Sequence, residues 1–366
     1  MLLSNAFAVP RTPRVRVLVN QEPVSGCIDA QIISNNHYAC DRFFLTLALD
    51  TDPAMGVPFW ASEQDIQVEI QLSLDGRAFV PFLVGQIDLA TIDPVARTVH
   101  LEGRDLAAAL IEARTQETFS NRTSSEIATI LASRHGLTAV VTPTTTPVGR
   151  YYQDEHDRIT LNQFSRATTE WDLLTFLASE EGFDVFVQGT NLYFQPPASL
   201  NDVTLLLQPT DMLQLQLQRS LTLARDMIVT VKSWNSRQKA AFSQTARATG
   251  PKTNGAKIGP PQRYVFVKPN LTPGAALKFA QQMLAELTLH ERVLEFSMPG
   301  ELSLTGRSTL RLDGTNSDFD QGYYVDVIER KITMTGGFVQ HVRAKNTSPR
   351  SQSIIPADIV GSVTGS

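Results

Sequence analysis

Two stretches far apart in the chain share one pattern of apolar and polar residues. Residues 82–105 begin with an apolar strand, break at Asp93-Pro94 and continue with a strand that alternates apolar and polar residues. Residues 322–346 repeat this plan around Gly336-Gly337. Each pattern is typical of a β-hairpin in a half-buried sheet. A duplicated β-unit in one chain favours an assembly protein that uses the same surface twice over an enzyme with a single site.

The first part of the chain follows the two-residue period of β-strands. Strands are predicted at 14–20, 27–33, 42–49, 65–74, 79–90 and 96–102. Asp75-Gly76, between two of them, is a hairpin turn signal. Several short strands in about 90 residues indicate a barrel or a sandwich. A helix predicted over 104–114 closes this first domain.

The middle of the chain has a mixed pattern. Two capping boxes, at Thr123-Ser124-Ser125-Glu126 and Thr169-Glu170-Trp171-Asp172, open helices that end near Gly136 and Gly182. A short hairpin across Gly189 follows the second helix. These features predict a small α+β domain.

Strand patterns return after this domain. Residues 212–218 alternate strictly, with leucines on one face and Gln214, Gln216 and Gln218 on the other. A face of three glutamines either lines a solvated channel or is the outer face of an ordinary sheet. Spacing alone does not distinguish these two interpretations.

The rest of the chain combines a loop, a helix and strands. Residues 243–262 are rich in Gly, Pro, Lys and Thr, which predicts a mobile loop. Thr272-Pro273 gives a helix N-cap with proline in the first turn. Further strands are predicted at 227–234, 292–298, 308–312 and 322–346. The tail after Asn346 is rich in Ser, Pro and Gly and predicts no structure of its own.

Composition and charge narrow the class of function. The chain has 366 residues, 42% hydrophobic and 19% charged, so we expect two to four domains. The net charge is −5 and no dense Lys/Arg block occurs, which argues against specific nucleic-acid binding. Cys27 and Cys40 could face each other across a hairpin, but we expect a reduced, buried pair. No membrane span or signal peptide is expected, so we expect a chain made and kept soluble in a cytoplasm.

Candidate catalytic and metal motifs fail on their spacing. Gly250–Lys257 resembles a phosphate-binding loop, but its lysine is displaced and no strand leads into it. Asn316–Gly322 resembles a calcium loop, but Gln321 holds the glycine position. Glu180 and Glu181 are adjacent on a helix and point apart, so they cannot flank one glycosidic bond. We therefore expect no enzymatic activity, no cofactor and no metal.

Three segments together resemble one protein family. Residues 165–194 resemble a helix-hairpin block, 227–235 a strand of a second tube-like barrel, and 319–338 the closing hairpin of that barrel. The family is the late-control D proteins, the tail baseplate hubs of contractile phages, which are related in fold to the hub part of VgrG. The resemblance spans most of residues 12–346, and the family brings no catalytic residues.

The resemblance implies a fold and an assembly. The implied fold is α+β and mainly β, with two similar antiparallel β-barrel tube-like domains and inserted small α+β domains. The implied assembly is a homotrimer whose six barrels form a pseudo-sixfold ring, a symmetry adaptor between the sixfold tail tube and the threefold spike. Implied partners are the tail tube or distal tail protein, the spike protein and other baseplate proteins. DNA or the tape measure protein would pass through the lumen without specific binding.

The resemblance also implies domain boundaries and a location. The expected segments are an N-terminal arm at 1–11, the first tube-like barrel at 12–115, an α+β insert at 116–205, the second tube-like barrel at 206–240 plus 292–346, a loop and helix insert at 241–291, and a flexible C-terminal tail at 347–366. We expect the protein in the virion tail, assembled in the cytoplasm of the bacterial host.

Two alternatives stay open. About 20 residues follow Asn346, so we expect a separate spike protein, which favours a phage or phage-like particle over a VgrG-type hub with a fused spike. The first alternative is nevertheless the hub of a type VI secretion system or another contractile injection machine. The second, from a different class, is a tail-associated peptidoglycan-degrading enzyme, which would need paired carboxylates in a cleft.

Overall fold

A computed structural model gives the fold of most of the chain. It describes residues 11–36, 38–49, 51–114, 118–119, 122–145, 147–148, 159–160, 169–199, 203–221, 227–235, 240–248, 260–268, 271–288 and 291–346. The predicted C-terminal tail, the first ten residues of the predicted arm and Gly250–Lys257 lie outside these residues. Within the described residues, every helix is too short or too polar to cross a bilayer.

Strands dominate the described residues. In chain order they are β1 Arg14–Val19, β2 Glu22–Val24, β3 Cys27–Asn35, β4 Arg42–Ala48, β5 Gln67–Ser73, β6 Val80–Asp93, β7 Thr98–Asp105, β8 Thr118–Phe119, β9 Thr138–Val141, β10 Ile159–Thr160, β11 Asp184–Gln188, β12 Asn191–Gln195, β13 Leu205–Leu207, β14 Gln214–Arg219, β15 Met227–Asn235, β16 Ala240–Ala248, β17 Gln262–Val267, β18 Arg292–Pro299, β19 Thr309–Leu312, β20 Gly322–Thr333 and β21 Gly337–Asn346. The helices are α1 Val57–Ser62, α2 Ala107–Glu112, α3 Ser124–Arg134, α4 Glu170–Glu181 and α5 Pro273–Thr288. The predicted class, α+β and mainly β, is confirmed.

Most strands belong to one sheet. Its order is β14-β18-β21-β20-β3-β4-β7-β6-β5-β1-β2, and β19, with β13 beside it, joins the free part of β20. The sheet is curled: β1 and β3 are separated by four strands in the sheet order, yet Val17 of β1 and Ile32 of β3 pack in the same core. The two predicted tube-like barrels are not closed in the described strands, which form one open, curled sheet. β20 is long, and β3 pairs with the half of it that β19 leaves uncovered.

The two halves of the sheet repeat one strand order. The first half contains β3-β4-β7-β6-β5 and the second contains β14-β18-β21-β20-β19, in the same chain order and with antiparallel neighbours throughout. The predicted pair of similar hairpins is therefore confirmed as β6–β7 and β20–β21, and the repeat extends to five strands. The halves differ at one side, where β1 pairs antiparallel with β5 but β13 pairs parallel with β19.

A first α+β unit follows the first repeat. Its core joins α2, α3 and α4 to the small sheet of β9, β11 and β12, with Leu131, Trp171 and Leu174 fully or nearly buried. Both predicted capping boxes are present, at Thr123 and Thr169. Gly182 ends α4 in the left-handed conformation, as its position after the helix predicts.

A second unit lies between β14 and β18 and differs from the prediction. The resemblance placed 227–235 in the second barrel, but β15 pairs with β16 and β17 in a separate sheet. Met227, Val229 and Val231 project to one face of β15, and α5 covers this face. The predicted loop over 243–262 is also wrong at its start, because β16 runs through Ala248. Most domain boundaries stay a prediction.

Candidate functional site

One face of the large sheet is mostly polar in both repeats, although Ile33, Phe44, Leu89, Val293, Val327 and Val339 also project to it. Residues that are directly opposite in adjacent strands project to the same side, so the registers define the face. This polar sheet face contains Asp29, Gln31, Arg42, Thr46, Thr91, Asp93, His100, Glu102, Gln214, Gln216, Gln218, Glu295, Ser297, Glu329, Lys331, His341 and Arg343. By the same registers Arg104 and Lys345 also project to this face, where each pairs with an aspartate, Asp88 and Asp326 respectively. The other carboxylates (Asp29, Asp93, Glu102, Glu295, Glu329) outnumber the other cations (Arg42, Lys331, Arg343).

The three predicted glutamines lie at one end of the polar sheet face. Gln214, Gln216 and Gln218 are all exposed on β14, opposite residues of β18. The other face of β14 carries Leu215, which packs against the core of the second repeat, and Leu217, which is exposed. The glutamines thus lie on the same face of the sheet as the polar residues of the first repeat, with three strands between β14 and β3. Their role in a lumen stays a prediction.

Each repeat carries a β-bulge at the same place. The extra residue of the bulge is Asp88 in β6 and Asp326 in β20. Asp88 accepts two hydrogen bonds of 2.7 Å from Arg104, and Asp326 Oδ2 lies 2.9 Å from Lys345 Nζ. Arg104 of β7 and Lys345 of β21 are equivalent, because each lies at the same distance along its strand from the residues opposite the bulge. The two repeats therefore share an ion pair.

A second side-chain contact is also repeated. His100 Nδ1 lies 3.0 Å from Thr46 Oγ1, and His341 Nδ1 lies 2.7 Å from Ser297 Oγ. Both pairs join directly opposite residues of equivalent strands. Sequence reasoning missed these contacts. The available signal was the match of His100-Leu-Glu-Gly-Arg-Asp with His341-Val-Arg-Ala-Lys-Asn.

The polar sheet face ends at two open strand edges. β14 pairs with β18 on one side, and no described strand pairs with its other side. β7 pairs with β6 as far as Asp93, whereas β5 pairs with β6 only as far as Gln86. Residues 89–93 of β6 therefore have β7 on one side and no described partner strand on the other. Leu89 and Leu217 are exposed at these edges. Exposed apolar residues beside an open edge allow another strand to add.

A buried charged cluster lies beneath the junction of the two repeats. Asp105 accepts hydrogen bonds from the backbone N–H groups of Asp41 (2.9 Å) and Ala107 (3.0 Å). Arg307 donates to the carbonyl of Asn35 at the end of β3. Burial raises the pKa of Asp105 to about 8 and also raises the pKa of Asp41. The hydrogen bond to Ala107 explains why the helix predicted from 104 begins three residues later.

This cluster is a structural element of the junction. Asp41, Asp105 and Arg307 line a cavity of about 130 Å³ together with Phe82 and Phe186. The Arg307 guanidinium lies 4.4 Å from the ring centre of Phe186, which belongs to the first α+β unit. The cavity therefore lies where the two repeats and that unit meet. Across the residues that the structure covers, no three His, Cys, Asp or Glu side chains are grouped as a metal site.

The other motifs have structural partners. Glu180 accepts a hydrogen bond from Lys268 (2.7 Å), whereas Glu181 accepts one from Ser124 (2.9 Å). The two carboxylates therefore contact different elements, as adjacent helical positions predict. In the segment that resembles a calcium loop, Asp320 accepts hydrogen bonds from the backbone N–H groups of Thr315 and Asn316 and closes a turn.

The two cysteines are free and half-buried, at separate places in the fold. Burial raises the pKa of Cys27 to about 12 and that of Cys40 to about 11. Because the thiolate is the reactive form, neither residue has the properties of a catalytic nucleophile.

Comparisons with known proteins agree on the fold. No protein-family profile and no curated sequence matches the chain. The 43 kDa tail protein of prophage MuSo2 from Shewanella oneidensis is similar, with a TM-score of 0.66, 16% identity and coverage of 93% of this chain and 100% of that chain. A tail protein from Neisseria meningitidis MC58 has a TM-score of 0.65 and 15% identity, over 93% of this chain and 98% of that one.

A secretion-system protein has the same fold. The E. coli c3393 protein, a component of the type VI secretion system, is described as similar to the T4 bacteriophage tail proteins gp27 and gp5. It matches 94% of this chain and 79% of its own, with a TM-score of 0.54 and 11% identity. The chain therefore has the fold of phage tail proteins and of a type VI secretion component, as the resemblance in its sequence implied.

Proposed function

We propose that this chain is the structural hub of a phage or phage-like tail baseplate. In this proposal it forms a homotrimer that joins a sixfold tail tube to a threefold spike, within the virion tail. The observation that carries the proposal is the repeated five-stranded unit, since three chains supply six such units. A ring of six similar units matches sixfold symmetry, while three identical chains match threefold symmetry. The fold shared with phage tail proteins supports the same function.

The mass and shape in solution test the hub. The expected result is a particle of three times 40.4 kDa by light scattering, with a central hole in negative-stain images of the same fraction. Some rings form only on a partner, so the measurement is repeated with the tail tube and spike proteins added. A compact monomer under both conditions would contradict the proposal.

We further propose that the polar sheet face lines the lumen of this ring. Its excess of carboxylates disfavours contact with DNA phosphates, so DNA or a tape measure protein can pass without binding. Gln214, Gln216 and Gln218 add polar but uncharged groups to the same surface.

Adding positive charge to the lumen gives a direct test. Replacing all three glutamines by lysine is expected to slow DNA ejection while the assembled tails keep their normal appearance, because cations bind passing phosphates. The matched control replaces the same residues by asparagine, which keeps the polarity and adds no charge. Normal infectivity of the lysine variant would rule out the lumen assignment.

A second candidate is the hub of a type VI secretion system or another contractile injection machine. The similarity to the E. coli type VI secretion component favours it. Neighbouring genes separate the two candidates, because a phage hub is encoded beside capsid genes and an injection-machine hub is not. A tail-associated peptidoglycan-degrading activity is tested by a zymogram, in which we expect no clearing by the pure protein.

A further inference from the structure

We infer that two copies of this chain join by adding strand β6 of one copy, antiparallel, to the open edge of β14 of the next. In this junction Ile92 lies opposite Leu217, and Thr91 lies opposite Gln218. The inference rests on the proposed homotrimer and specifies the contact that builds it. Its source is a junction that already exists within one chain.

The internal junction supplies the template. β3, the outer strand of the first repeat, pairs antiparallel with the second half of β20 of the second repeat. In this pairing Ile32 lies opposite Arg330, and Ile33 lies opposite Glu329. Within the repeats, β3 corresponds to β14 and β20 corresponds to β6. The open edges of β14 and β6 are therefore the two strands that would make the next junction of the same kind.

The register between copies follows from two markers in the fold. The bulges at Asp88 and Asp326 align β6 with β20, so Thr91 corresponds to Glu329 and Ile92 to Arg330.

The second marker is the repeated histidine–hydroxyl pair. Thr46 lies opposite Asp29 and its counterpart Ser297 lies opposite Gln214, which aligns β3 with β14. Leu217 then corresponds to Ile32, and Gln218 to Ile33. These equivalences place Thr91 of one copy opposite Gln218 of the next.

Burial at the two places supports the same conclusion. Ile32, inside the existing junction, is 2% exposed, whereas its counterpart Leu217 is 37% exposed. Val327 is half-buried beside β3, whereas its counterpart Leu89 is 52% exposed. The residues left uncovered are those that a second junction would cover, which is the signature of an absent copy of the same chain.

The geometry also determines how the copies join. The two edges differ, so the contact is head-to-tail and every copy offers one edge of each kind. When the junction between copies has the same geometry as the internal junction, the rotation from one repeat to the next is the same within a chain and between chains. In the proposed homotrimer, three chains then close a ring of six units, and both open edges of every chain are paired.

Engineered disulfides test the register. In a chain with Cys27→Ser and Cys40→Ser, Thr91→Cys and Gln218→Cys are combined. Oxidation is expected to link the subunits, with the covalent trimer as the largest product on a non-reducing gel, because opposite Cα atoms lie within disulfide range. The offset control combines Thr91→Cys with Gln214→Cys, which the register separates by about 13 Å along the strand, so it is expected to give no such band.

A third variant calibrates the geometry. Ile33→Cys with Glu329→Cys is the equivalent pair of the internal junction and is expected to form a disulfide within the chain. Two outcomes with a trimeric protein would overturn the strand pairing and leave the hub intact. In the first, only the offset pair links the subunits. In the second, the internal pair forms its disulfide but Thr91→Cys and Gln218→Cys do not link the subunits. A protein that stays monomeric with its partners would overturn both.

Discussion

Gly103→Ala is expected to lower the free energy of unfolding by about 3 kcal/mol. A Cβ atom at this position would lie 2.2 Å from the carbonyl oxygen of Gln86 and 2.3 Å from the ring of Phe43. Phe43 is fully buried, so its ring cannot move aside without opening the core. The measurement is the midpoint and slope of urea unfolding. A loss of this size is a large part of the stability of an ordinary domain.

The control for this substitution is another glycine in the same chain. Gly274 lies in the first turn of α5, and a Cβ atom there would meet no heavy atom within 4 Å. Gly274→Ala is therefore expected to leave the unfolding midpoint unchanged or to raise it slightly. Equal midpoints for the two variants would show that the sheet at Phe43 relaxes freely, and would contradict the tight packing inferred there.

The second large effect concerns pH. The free energy of unfolding is expected to fall as the pH rises from about 5 to 8, because the pKa of Asp105 is about 8 in the folded chain and about 4 in an unfolded one. The folded state then holds a proton that the unfolded state has lost, so stability decreases with pH throughout this window. One proton gives a slope of at most about 1.4 kcal/mol per pH unit.

Asp105→Asn separates this effect from others. The variant is expected to lose stability at every pH, because an amide accepts only one of the two backbone hydrogen bonds, and to show a smaller slope between pH 5 and 8. Part of the slope is expected to persist, since burial also raises the pKa of Asp41. The control is Asp75→Asn, because turn hydrogen bonds lower the pKa of that exposed carboxyl to about 2, outside the window. Parallel pH profiles for wild type and Asp105→Asn would contradict the assignment.

Local order in this protein is readable from its sequence, while long-range pairing is not. The capping boxes at Thr123 and Thr169 specify helix starts, because their hydrogen bonds involve neighbouring residues. The two-residue period of β15 predicts a strand with one buried face. That period is the same whether the face is covered by a second barrel or by α5, so the partner of β15 could not be predicted.

In the candidate site, too, the local features could be predicted from the sequence and the contacts between strands could not. The polar face of Gln214, Gln216 and Gln218 follows directly from the alternation of residues along β14. The ion pairs of Asp88 and Asp326 depend on bulges, and one extra residue changes which side chains meet across a strand pair. Nothing local in the sequence marks such a shift.

The repeats differ most where one strand leads to the next. Residues 36–41 connect β3 to β4, whereas residues 220–291, with β15, β16, β17 and α5, occupy the equivalent place between β14 and β18. The two halves share one strand order, and this unit between β14 and β18 makes them unequal. In the proposed ring the sheet recurs every 60° but the insertion only every 120°. The inserted unit is thus the feature by which a threefold partner can tell alternate halves apart.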